Sequence, residues 1–83
     1  MLNQLEIINE AKNQTGLANF GNPLFMNGFE ALISSINQEA DLNEIGVEAQ
    51  KGRLIGILSN ILRIENALME NPKILEEEIK SPV

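Results

Sequence analysis

An all-α fold, a small antiparallel bundle of three to four helices, is predicted by three features of this sequence. Apolar residues recur at helical spacing in each long segment. Asparagine-proline and threonine-glycine pairs fall where those segments begin and end. The connections between segments are short, which favours antiparallel neighbours. The helical domain is expected over residues 1–80, with helices at about 2–14, 23–40, 44–70 and 72–78, and the chain leaves the helical pattern at 81–83 as if entering a strand.

In the first helix Leu2, Leu5, Ile8 and Ala11 follow one another at steps of three with Ile7 beside them, a single apolar stripe. Thr15-Gly16 closes it, because glycine enters the left-handed conformation without steric cost. Leu17 to Asn22 form a loop in which Leu17 and Phe20 are expected to tuck inward and Gly21 to allow a sharp change of direction. Asn22-Pro23 reads as an N-cap followed by proline at the first helical position. The second helix then carries Phe25, Phe29, Leu32, Ile36 and Ala40 on one broad face flanked by Ile33. All three phenylalanines lie between Phe20 and Phe29, which predicts the densest part of the core there.

Periodicity loses phase around Asp41 to Gly46, where Asp41 or Asn43 can cap a third, longer helix ending near Glu70. At 100° per residue its apolar members run Ile64, Ile57, Leu68, Ile61, Leu54, Leu58, Leu62, Ile55 around an arc of roughly 180°. Two short neighbours do not cover so wide a face. Asn71-Pro72 repeats the cap-and-proline signal, predicting a short helix through Ile74 and Leu75 into the acidic run Glu76-Glu77-Glu78, read as a solvated face. In Ile79-Lys80-Ser81-Pro82-Val83 the residue before proline is biased towards extended backbone.

Composition narrows the chemistry. With 83 residues, a single domain buries about 60% of its unfolded surface, and such domains recruit a disulfide, a metal or a partner. The chain has no cysteine and no histidine, which leaves a partner and removes the commonest general base and the commonest metal ligands. At 43% hydrophobic and 22% charged residues, the chain is of the folding kind. A net charge of −6 repels a phosphate backbone, so nucleic acid is not an expected partner. Met1-Leu2-Asn3-Gln4-Leu5-Glu6 lacks the basic region of a secretory signal, and Leu54 to Ile64 is too short and too interrupted to span a membrane. A cytoplasmic location is expected.

No catalytic, cofactor-binding or metal-ligating residue can be assigned. Glu65 falls near the middle of the long helix's apolar arc, where an unpaired carboxylate is costly. It marks an ion pair, a helix end leaving the core, or a contribution to a site completed by other segments. Uncompensated, it would make Glu65→Leu stabilising, whereas a large loss would reveal a local partner. Gly52 and Gly56 share one helix face and suggest either a close approach or chance spacing. Lys51, Arg53 and Arg63 scatter around the helix and are read as surface partners of nearby acids. An acyl-carrier role fails for want of a serine after an aspartate at a helix start: Asp41 is followed by Leu42-Asn43, while Ser34 and Ser35 lie within a helix.

Several fragments, taken in order, carry a resemblance. They are Ala11, Thr15-Gly16-Leu17, Asn19-Phe20-Gly21-Asn22, Phe25, Gly28 and Glu30-Ala31-Leu32, then Glu39-Ala40-Asp41-Leu42-Asn43, Gly46, Gly52-Arg53-Leu54, Asn60, Leu62-Arg63 and Glu65, and finally Asn71-Pro72-Lys73-Ile74 and Pro82-Val83. In their order and spacing they resemble the N-terminal helical region of a bacterial-type sulfotransferase family with a P-loop-like fold. The resemblance implies that residues 81–83 begin a strand belonging to a catalytic domain missing from this chain. There a Thr- and Gly-rich loop would bind the 5′-phosphosulfate of 3′-phosphoadenylyl sulfate through backbone N–H groups at a helix N-terminus. The catalytic base and acceptor pocket of the family lie there too. This chain would be a non-catalytic segment that binds no cofactor alone, packs on the catalytic domain and walls part of the acceptor site. The alternative is a stand-alone module that buries the same apolar arc against a partner helix surface or by homo-oligomerisation.

Overall fold

A computed structural model of the chain describes residues 1–39 and 43–73. Among them are three helices: α1 (Gln4–Thr15), α2 (Pro23–Glu39) and α3 (Glu44–Glu70). Ala40, Asp41 and Leu42 lie outside the described residues. So do nearly all of the expected fourth helix, 72–78, and the expected strand at 81–83; the described residues support three helices and contain no strand.

Each helix begins on an asparagine. Asn3 Oδ1 accepts from the Glu6 N–H at 3.1 Å, Asn22 Oδ1 from the Leu24 N–H at 2.9 Å, and Asn43 Oδ1 from the Gly46 N–H at 2.8 Å. These side chains satisfy amides that a helix start leaves without an internal acceptor. Asn43, not Asp41, is therefore the cap of α3. At the other end of α1 Gly16 takes φ +70° and its N–H bonds Lys12 C=O at 2.8 Å, the left-handed stop expected of glycine. Thr15 Oγ1 donates back to Ala11 C=O at 2.9 Å and accepts from the Leu17 N–H at 3.3 Å, so one hydroxyl closes the helix and starts the loop.

Contacts between helices fix their directions. The start of α1 meets the end of α2 through Asn37, and the start of α2 meets the last turns of α3 through Glu65. Glu6 of α1 pairs with Lys51 near the start of α3. Hence α2 runs antiparallel to both neighbours, while α1 and α3 run the same way and share the most extensive packing.

The core lies along that α1–α3 seam and is closed by α2. Ile7, Ala11, Ile33, Leu58 and Leu62 are fully buried, with Leu2, Ile8, Phe29, Leu54 and Ile55 nearly so. Leu17, Phe20, Met26, Ile36, Val47 and Ile61 pack around them. The phenylalanines are not its densest part: Phe29 is buried, Phe20 is half-buried and Phe25 is 58% exposed. The reason is rotational. The inward direction of α2 runs between Phe29 and Ile33, which puts Phe25 and Leu32 on the rim; Leu32 is 44% exposed.

The same effect corrects the stripe of α1. Leu5 is 70% exposed and Gln4 takes the inward place in the first turn. Its Nε2 donates to Ser34 Oγ at 3.0 Å and to Glu30 C=O at 3.3 Å, so α1 meets α2 partly through polar groups. Asn37 adds to that seam, with Oδ1 accepting from the Leu2 N–H at 2.8 Å and Nδ2 donating to Leu2 C=O at 3.0 Å. This amide pairs with the backbone as a neighbouring strand residue would, holding the segment before α1 in place.

Candidate functional site

Glu65 is where the sequence and the structure converge most closely. Gly21 N–H donates to its Oε2 and Asn22 N–H to its Oε1, each at 2.8 Å. Neither an ion pair nor a departure of the helix from the core explains the residue: its partners are two backbone amides from a loop more than forty positions away. Those amides sit at the N-terminus of α2, where unpaired donors and the helix dipole favour a negative group.

The loop presents both amides to one carboxylate because its backbone is bent for it. Phe20 N–H bonds Leu17 C=O at 3.1 Å, forming a turn, and Gly21 follows with φ +125°. A side chain at Gly21 would be strained by that φ and would also press on Met26 Sδ at 3.3 Å. Thr15, Gly16, Gly21, Asn22 and Glu65 thus act together as one corner of the fold.

Beside this corner lies an open, largely apolar groove of about 570 Å³. It is lined by Asn19, Phe20, Gly21, Asn22, Phe25, Glu65, Leu68 and Met69. The carboxylate at its edge accepts one backbone amide on each oxygen and so shapes one side of the groove. The apolar face continues along α3, where Ile57 is 43% and Ile64 59% exposed while Leu54, Leu58 and Leu62 are buried. One edge of the expected wide arc is therefore covered and the other open.

An anion such as phosphosulfate needs free backbone donors at a helix N-terminus. The described helix starts do not fit one, since Asn3, Asn22 and Asn43 already cap them and Glu65 fills the place an anion would take at α2. Among the described residues no three acidic side chains converge to hold a metal ion.

Of Lys51, Arg53 and Arg63, expected to pair with nearby acids, only Lys51 does so among the described residues. Lys51 forms an ion pair with Glu6, and this contact raises the lysine pKa above its ordinary 10.5. Arg63 donates to Asn60 Oδ1 at 3.2 Å within its own helix. Among the described residues nothing approaches Gly52 or Gly56: an added Cβ would meet no atom within 4 Å at either. Sequence reasoning missed Ser59, which is 2% exposed with its Oγ unpaired among the described residues. Its position at the edge of the apolar arc, next to Leu58, was the available signal. No described helix is long and apolar enough to cross a membrane.

No protein-family model matches the chain, nor does any curated protein or solved structure.

Proposed function

We propose that this chain is a non-catalytic helical segment of a sulfuryl-transfer enzyme, built to pack on a catalytic domain that binds 3′-phosphoadenylyl sulfate. The observation that carries the packing role is the open apolar edge of α3, at Ile57 and Ile64, beside an otherwise buried face. Leaving apolar area in water costs about 25 cal/mol per Å², so an edge of this kind is stabilised by a covering surface. The family comes from the ordered fragments Thr15-Gly16-Leu17, Asn19-Phe20-Gly21-Asn22, Gly52-Arg53-Leu54, Glu65 and Asn71-Pro72-Lys73.

In this reading the donor site lies on the catalytic domain; the three described helix starts are each capped by an asparagine. The groove between Phe25 and Leu68 then becomes part of the wall on the acceptor side, and a cytoplasmic setting goes with this assignment. Two measurements test it. The coding sequence after Val83 is expected to encode a strand and a Thr- and Gly-rich phosphate loop, and a stop codon there contradicts the proposal. Calorimetric titration of the purified chain with 3′-phosphoadenylyl sulfate is expected to show no binding; tight binding or turnover by the 83 residues alone overturns it.

A further inference from the structure

Of the eleven asparagines in the chain, Asn27 alone is followed by glycine. That order matters chemically, because the backbone nitrogen of the next residue can attack an asparagine side chain, and a glycine leaves that nitrogen the least hindered. Both residues lie exposed on α2, and a Cβ added to Gly28 would meet no described atom within 4 Å. The asparagines at the helix starts are occupied instead, Asn3, Asn22 and Asn43 each holding a helix amide.

A closed helix blocks the attack. The Gly28 nitrogen has to swing beside the carbonyl carbon of the Asn27 side chain, and helical ψ holds it away. Inside α2 its N–H is also committed to the carbonyl one turn earlier. Reactivity therefore depends on how readily the first turns of α2 open. Their hold on the core is slight: the buried residues of α2 begin at Phe29, Leu24 and Phe25 stand exposed, and Met26 alone of this stretch packs against the core. What pins them is polar. Asn22 accepts the Leu24 N–H on its side chain and the Met26 N–H on its carbonyl, each at 2.9 Å, and Glu65 holds the Gly21 and Asn22 amides from α3. A segment with few buried apolar contacts opens locally at less cost than global unfolding.

We infer that Asn27-Gly28 is a succinimide-forming deamidation site, latched shut by Glu65 through the start of α2. In the open segment the Gly28 nitrogen bonds to Asn27 Cγ, and the side-chain nitrogen leaves as ammonia with the proton that the Gly28 amide gives up. Water then adds to one of the two ring carbonyls. Breaking the new C–N bond returns an aspartate in the normal chain; breaking the original peptide C–N bond leaves an isoaspartate, whose backbone runs through the side-chain carbon. The isoaspartate inserts a methylene into the backbone of α2, so the helix ladder cannot re-form across it and Phe25 is lost as a wall of the groove. Either product adds one negative charge to a chain of net charge −6. The inference goes beyond the proposed sulfotransferase role and stands without it.

Incubation of the 83-residue chain in mildly alkaline buffer, followed by peptide mapping with mass spectrometry, tests the site. The peptide containing residue 27 is expected to give two heavier isomers, aspartate and isoaspartate, before any other asparagine reacts. Gly28→Ala should slow their appearance at least about tenfold, in urea as well as in buffer. Unfolding in urea should speed the wild type, since it removes the helix that blocks the attack. Glu65→Gln should speed the folded chain at least about fivefold, and more than Ile7→Val, a change in the buried core of α1 compared at equal global stability set by urea. Earlier reaction at another asparagine of the folded chain, one rate for the folded chain and the chain in urea, no product at residue 27 in the wild type or Glu65→Gln, or equal acceleration by Glu65→Gln and Ile7→Val overturns the inference.

Discussion

Glu65 sits in an apolar arc and yet holds the fold together, because both of its oxygens accept backbone amides at the start of α2. Replacing it by leucine removes two charge-assisted hydrogen bonds and orphans the Gly21 and Asn22 amides. Glu65→Leu is thus expected to lower stability by about 2 kcal/mol, measured by urea denaturation, with Glu65→Gln losing less because one acceptor remains. Ser59 is the opposite case: its hydroxyl is buried and has no partner among the described residues. Ser59→Ala should raise stability by about 1 kcal/mol in the same assay, and a loss of that size would mean the hydroxyl is satisfied. The sequence placed Glu65 in the arc but not beside its partners. Hydrogen bonds spanning 43 and 44 positions leave no trace in local periodicity. Gln4 and Asn37 escaped notice for the same reason, since each becomes meaningful only once α2 lies against the start of α1.

The helices themselves were legible because their ends are written in local chemistry. Expected spans of 23–40 and 44–70 compare with Pro23–Glu39 and Glu44–Glu70, each opening on an asparagine that a sequence can show. Which edge of a wide apolar face turns inward was not legible, because that depends on where the neighbours sit. Leu5, Phe25 and Leu32 were all assigned inward and all face out. Gly52 and Gly56 belong to the element as well. Both lie inside α3 with open space around them, so each change to alanine should add about 1 kcal/mol to the stability of the isolated chain. Thermal melts of Gly52→Ala and Gly56→Ala check this, and a fall in midpoint would show that something does pack against these positions.

For the whole molecule, the Lys51–Glu6 pair ties α1 to α3 at the bundle surface and gives stability an alkaline dependence. Contact with Glu6 raises the lysine pKa in the folded state, so the folded form holds the proton more tightly than the unfolded form. The contribution is complete below the ordinary value of 10.5 and is lost as pH rises through the higher folded value. Denaturation midpoints of the wild type should fall across that range by more than those of Lys51→Met; equal slopes would show that the pair is immaterial. At neutral pH the three helices enclose one modest core and leave an apolar edge on α3 that the described residues do not cover. The decisive measurement is a calorimetric titration of this chain into the catalytic domain we propose it packs on. The account predicts binding with a negative heat-capacity change, weakened at least about tenfold by Ile57→Glu or Ile64→Glu. The absence of binding, or binding indifferent to both substitutions, would contradict it.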